Sequence, residues 1–281
     1  MRLLRLQVDQ IDLKILKLLQ QRTKLSRRIG KAKRLHQAAI YVPERERDLL
    51  ARLIRHSGGH PPAGALEAIY REIFSSSRAA QGQPGIGLLR AGAPALILPA
   101  RWCFGACDRF VLKAGWADLA EGLESGEMAV ALLTGADLAR IFQKAAALRH
   151  FVARFTVLGD FPAGTDPALP LLNRIFIVAP KGKGTALAGN RVLILIKCKS
   201  TANAVKTVLH AMSAHSIQTE SVALHVKSAP VASTPGLIRL TLARPIDEAH
   251  LTNRLVSQPP AADLALSILG VYLGTEDYAV G

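Results

Sequence analysis

Residues 3–36 contain no proline and a single glycine, and their apolar positions Leu4, Val8, Ile11, Ile15, Leu18, Leu25, Ile29 and Ala32 recur at alternating spacings of four and three. That is an a/d heptad seam, and it specifies one long helix. At 1.5 Å per residue the helix is about 51 Å long, more than a compact domain of some 80 residues can cover by itself. Its seam therefore needs a partner.

Two further helical segments follow. VPERERDLLARLIRHSGG starts at a proline suited to a first turn and stops at Gly58-Gly59. PPAGALEAIYREIFSSSRAAQ is again led by prolines. Neither is long enough to lie along the whole seam of the first, so the economical arrangement is a dimer in which two copies of the long helix exchange. A hairpin within one chain is the alternative.

The seam is broken at one place, Arg22. A guanidinium cannot shed its charge, so within an apolar interface it needs an anion. Lys33 lies eleven residues on, about three full turns, and projects from the same face. Arg5 is seventeen residues before Arg22, about 4.7 turns, and points away from it. In the paired-helix dimer, however, Arg5 of one copy completes the site of the other. Arg45 and Glu46 arrive together on the second helix, and Ser77 and Gln81 share a face of the third. Each of these residues alone reads as an ordinary solvated side chain. Jointly they form a positively charged set opening off an apolar bundle, suited to a small dianion.

Charge distribution agrees. The net charge is +15, and residues 1–81 hold 17 Lys/Arg against 7 Asp/Glu, a balance of +10. Such a balance attracts polyanions or small acidic substrates. A nucleic-acid stripe over residues 14–34 is the reading from another class. It should lie off the seam and bring stacking groups, and this helix has no aromatic residue. No apolar run approaches the roughly 18 residues of a membrane span. Acidic residues enter the opening MRLLRLQVDQID too early for a secretory signal, so a cytoplasmic protein is expected. Cys103 and Cys107 lack a companion pair at zinc spacing and read as two small buried side chains rather than a metal site.

Residues 4–81 resemble the all-helical chorismate mutase family. The shared features are Leu4-Arg5 with Asp12, Arg22 with Lys33, the Gly30–Lys33 stretch GKAK, Pro43 with Arg45-Glu46, and Ser77 with Gln81. By that resemblance, Arg22 and the partner subunit's Arg5 clamp the two carboxylates of chorismate, assisted by Ser77. Glu46 accepts a hydrogen bond from the ring hydroxyl, while Lys33 and Gln81 donate to the ether oxygen. Arg45 supports Glu46, and Val42 stands where some relatives carry an acid and would contribute through its backbone. The implied reaction is an isomerisation, the pericyclic conversion of chorismate to prephenate in aromatic amino-acid biosynthesis, which needs no cofactor, nucleophile or metal. A millionfold acceleration takes about 8 kcal/mol. Charge-assisted hydrogen bonds at about 1.5–3 kcal/mol each, with preorganisation, reach that sum.

The rest of the chain reads as α/β. After the linker GQPG come a strand LILPA, a helix WADLAEGLESG, a strand MAVALL, a helix ADLARIFQKAAALR, and strands FVARFTVL and RIFIVA. The last hundred residues run βαββαβ, a ferredoxin-like unit. We therefore expect a multidomain chain: a three-helix mutase domain at 1–82, an α/β domain at 85–185 and an ACT-like domain at 186–281. The tail weakly resembles a truncated prephenate dehydratase with its regulatory ACT domain. WADLAEGLESGEMAVALL, NRIFIVAP and LSILGVY carry the likeness. Asn173 replaces the threonine expected for dehydration, and the effector motifs have become Thr201–Val205 and Val222–His225. A vestigial or regulatory tail is thus expected, with a working bifunctional mutase/dehydratase as the alternative. Lys181–Gly184 lack P-loop spacing and read as a hairpin loop.

Overall fold

The computed structural model describes residues 1–36, 38–162, 170–182, 188–198, 201–214, 217–225, 235–255 and 264–272. The chain divides into two compact units: residues 1–86 with 100–110, and residues 87–99 with 111–281.

The first unit holds three helices. Helix α1 is Arg2–Leu35, 34 residues in one uninterrupted run. Helix α2 is Pro43–His56, with proline in its first turn, Glu44 and Glu46 at the positive end of its dipole and Arg55 and His56 at the negative end. Helix α3 is Ala63–Gln81, closed by Gly82 in the left-handed conformation. Helices α1 and α3 pack along a row at i, i+4 spacing formed by Arg22, Ser26, Gly30 and Arg34. Ser26 and Gly30 are buried, and a Cβ added to Gly30 would stand 2.4 Å from the carbonyl oxygen of Gln81. Only glycine permits that crossing, which is the physical content of the GKAK stretch.

The apolar seam is a different face of α1, and in the single chain it is uncovered. Leu4, Val8, Ile11, Ile15, Leu18 and Leu25 are all about half exposed or more, with Leu18 at 62%. Leu3, Leu6, Leu13 and Leu16 beside them are exposed as well.

Further on, the chain forms β1 (Gly85–Leu89), α4 (Ala93–Phe104), β2 (Phe110–Lys113), α5 (Trp116–Glu124), β3 (Met128–Thr134), α6 (Gly135–Phe142), α7 (Ala145–Arg154), β4 (Phe155–Pro162) and β5 (Arg174–Pro180). The five strands make one sheet in the order β2-β1-β3-β5-β4, with β5 antiparallel to β3 and β4. Three expectations are corrected here. LILPA is helical, inside α4, because the buried positions of that helix, Ala93, Leu96, Ala100 and Phe104, follow a helical period that a five-residue window conceals. ADLARIFQKAAALR is two helices, α6 opened by a Thr134/Asp137 capping box and α7 starting after Lys144. In FVARFTVL the first four residues end α7 and the strand begins at Phe155.

The remaining elements are β6 (Ala188–Cys198), α8 (Thr201–Ala214), β7 (Thr219–His225), β8 (Pro235–Asp247), α9 (Glu248–Leu255) and β9 (Leu264–Tyr272). Their sheet runs β7-β8-β6-β9, antiparallel throughout. One apolar cluster joins Phe151, Phe155, Phe176 and Val178 to Leu193, Leu195, Leu237 and Leu269, so the two sheets share a core. Within it Asp160 receives the guanidiniums of Arg174, Arg191 and Arg239, and Arg174 is 0% exposed. Arg174 thus belongs to a buried ion network, while Asn173 before it is exposed. Lys183 and Gly184 of the expected hairpin loop lie outside the described residues.

Candidate active site

The polar set belongs to the first unit. Arg22, half-buried on α1, reaches α3, where one amino group donates to Ser77 Oγ and to the carbonyl of Ile73 at 3.3 Å. Its guanidinium also stands 5.8 Å from the centre of the Phe74 ring. Ser77 is itself buried and donates to Ile73 O at 2.7 Å. Burial pulls the Arg22 pKa down, opposed by the fields of Tyr70 and Glu46. An anion brought to Arg22 would relieve that cost.

Lys33 is also half-buried and donates to Ile40 O at 3.0 Å. Burial lowers its pKa first, the positive charge of Arg45 lowers it further, and Glu46 works against both. The field of Glu46 is thus felt by both Arg22 and Lys33. Gln81 lies one turn after Ser77, against Gly30. Its carbonyl accepts from Arg34 at 2.6 Å, while its side-chain oxygen is buried with no hydrogen-bond partner among the described residues. A buried amide oxygen left unmet is costly in a finished core and natural in a binding site.

Arg45 is exposed and lines a shallow groove with Val42, Glu44, Asp48, Ala51, Arg52 and Arg55. Val42 caps α2, and its carbonyl accepts from the Glu46 amide at 3.4 Å. Arg5 sits on the exposed first turns of α1, about 26 Å of helix rise from Arg22, so the two cannot meet within one chain.

One residue of this cluster escapes sequence reasoning. Arg78, on α3 beside Ser77, is 3% exposed and donates to both oxygens of Glu46, at 2.7 and 2.6 Å. Its other amino group donates to Asp108 at 2.9 Å and to Phe104 O. Burial alone would lower its pKa, but the carboxylates of Glu46 and Asp108 outweigh it and raise it. For Glu46 the balance runs the other way: burial raises its pKa despite the pull of Arg78. The signal available in the sequence was position, since Arg78 falls on the α3 face that carries Phe74, Ser77 and Gln81.

Cys103 is partly exposed as a residue but its thiol is buried, and Cys107, contrary to the expectation of two buried thiols, is exposed, its backbone amide donating to Ser75 Oγ. Among the described residues, no group of three or more His, Cys, Asp and Glu is placed to hold a metal, and no helix is long and apolar enough to cross a membrane.

Comparison with known proteins bears on the same segment. Residues 4–82 match the family described as chorismate mutase type II. A stretch of 77 residues is 46% identical to a bifunctional chorismate mutase/prephenate dehydratase of Aquifex aeolicus (strain VF5), covering 26% of this chain and 21% of that protein. The chain therefore spans about a fifth of the length of that relative. Among solved structures, a prephenate dehydratase from Streptococcus mutans aligns with a TM-score of 0.43 at 11% identity over 68% of this chain and 98% of that one. A protein described as GqqA, a novel type of quorum quenching acylase, aligns at 0.41 and 14% identity over 66% and 93%. Both likenesses are too distant to assign an activity.

Proposed function

We propose that the chorismate mutase segment, residues 4–82, converts chorismate to prephenate, and that the chain works as a homodimer in which Arg5 of the partner subunit completes each site. The observation that carries this reading is the grouping of Arg22, Lys33, Glu46, Ser77 and Gln81 around α1 and α3, with two half-buried cations and a Gln81 side chain whose oxygen is unmet among the described residues. Arg22 and Ser77 would receive one carboxylate, the partner's Arg5 the other. Lys33 and Gln81 would donate to the ether oxygen as its bond breaks. Donors already fixed in a low-dielectric site stabilise that developing charge without reorganising, and gripping both carboxylates holds the compact conformer. Arg45 and Val42 flank Glu46 as supporting groups. The dimer is supported by the uncovered seam of α1, whose spacing suits a second copy of the same helix.

For the tail we propose a division into an α/β part at 85–185 and a ferredoxin-like, ACT-like part at 186–281. The sheet order β7-β8-β6-β9 across a βαββαβ chain favours that topology. Its role is structural or regulatory. A cytoplasmic location, with no nucleic acid or membrane as partner, completes the reading. Incubating the full chain with chorismate and measuring prephenate and phenylpyruvate separately tests both parts. Prephenate alone is expected; phenylpyruvate would make the tail a working dehydratase, and no turnover of chorismate would overturn the reading.

Gln81 makes a second test. An amide donates at any pH, so activity should be flat around neutrality. In Gln81→Glu the side chain donates only when protonated, and activity should appear only as pH falls. A wild-type profile that already climbs steeply into acid would remove Gln81 from the ether oxygen.

A further inference from the structure

Glu46, the acceptor in the proposed reaction, does not stand alone. Its carboxylate is gripped at both oxygens by one amino group of Arg78, and the other amino group of the same guanidinium is gripped by Asp108, whose side chain is 3% exposed. The rings of Tyr41 and Phe104 lie 5.7 and 5.8 Å from that guanidinium and keep it from swinging.

Asp108 lies 26 residues beyond the end of the segment that matches the mutase family. Yet residues 100–110 belong to the same compact unit as the three helices. The segment is held there by its own bonds: Ala106 N donates to Glu72 at 3.0 Å, Cys107 N to Ser75 Oγ at 3.0 Å, and Asp108 receives Ser75 Oγ at 2.8 Å and Gln83 at 3.3 Å. Gly105 makes the turn possible. Its φ is +95°, and a Cβ there would stand 2.6 Å from that of Ser75.

Taking the mutase reading as its basis, we infer that Arg78 and Asp108 are positioning residues for Glu46. Asp108, supplied by the segment after α4, fixes the Arg78 guanidinium, and Arg78 fixes the Glu46 carboxylate in the charged form that accepts a hydrogen bond. The segment that follows the mutase helices is thereby a working part of their site, not a spacer. The charged groups that bear on Glu46 are Arg78 from α3, Asp108 from the segment, and Arg22 and Lys33 from α1, with Arg45 beside Lys33. The Cys103 thiol, pushed up to about 12 by burial, stays neutral.

The two links act on Glu46 with opposite sign. Arg78 stabilises its charge and Asp108 opposes it. Mutase kcat and KM are to be measured against pH in the full chain for Arg78→Met, Arg78→Lys and Asp108→Asn. Arg78→Met should lower kcat about 10- to 100-fold, as expected for a misplaced group, with KM little changed. Its acid limb should move to higher pH. Arg78→Lys keeps a cation and should leave the limb near that of the wild type. Asp108→Asn, similar in shape, should move the limb to lower pH. Should Arg78→Met not fold, the two conservative variants still decide. A limb that stays put in Asp108→Asn or in folded Arg78→Met, or limbs of these two that move the same way, would overturn the inference while leaving the mutase reading intact. A wild-type chain without turnover removes both.

Discussion

Lys33→Ala is expected to lower kcat for chorismate by about 10²- to 10³-fold, the cost of removing one donor aimed at a developing negative charge. The folded state should lose far less. In the protein the ammonium spends one N–H on Ile40 O, a bond whose removal costs about 0.5–1.5 kcal/mol. Two donors remain for a substrate oxygen. Helical circular dichroism and thermal unfolding, set beside kcat, separate the two effects. A folded variant with unchanged turnover would take Lys33 out of the site. The same geometry fixes a pH dependence. Burial and Arg45 draw the Lys33 pKa below the ordinary lysine value, so its donor form is lost earlier as pH rises. An alkaline limb should follow, and Lys33→Arg, which keeps its proton, should lack it.

The long helix and its proline-led companions were legible because each is a local or periodic signal. Heptad spacing, a proline in the first turn of α2 and glycine at Gly82 act within a few residues of the feature they specify. The split between the two faces of α1 was not legible. Arg22 was read from the seam, whereas the chain presents it along the row of Ser26 and Gly30 toward α3, beside a seam left bare. Residue 22 borders both faces, and a one-dimensional spacing cannot tell an edge from a centre.

Arg78 was missed for a different reason. A lone arginine in a helical run is ordinarily solvated, and what reverses that here is a carboxylate 30 residues on, brought back by a glycine turn. Nothing in the spacing of 78 and 108 announces a pair. The sheet that starts at β1 was blurred because LILPA is both apolar enough for a strand and periodic enough for a helix. In the tail, by contrast, regular alternation of strand and helix signals reproduced the element order β6 to β9.

The dimer reading makes the second large prediction. Arg5→Ala and Arg22→Ala should each be nearly inactive as pure homodimers, since every site in either would lack one carboxylate clamp. About 26 Å of helix separates the two positions along α1, so a single chain cannot bring both to one small molecule. If the bare seam of Leu4, Val8, Ile11, Ile15 and Leu18 is covered by a second α1, each site draws Arg22 from one copy and Arg5 from the other. Unfolding the two variants together and refolding the mixture should then create activity that neither possesses. In a mixed dimer one site receives both mutations and the other receives none. Random re-pairing leaves half the dimers mixed, each with one intact site of two, so recovery should approach about a quarter of wild-type activity. A hairpin within one chain predicts no recovery at all, because each copy would keep its own defect. Leu18→Glu, placing a charge at the centre of the seam, should abolish the recovery by preventing pairing, with sedimentation reporting a monomer. Recovery that survives that substitution would separate the site from the exchanged helix.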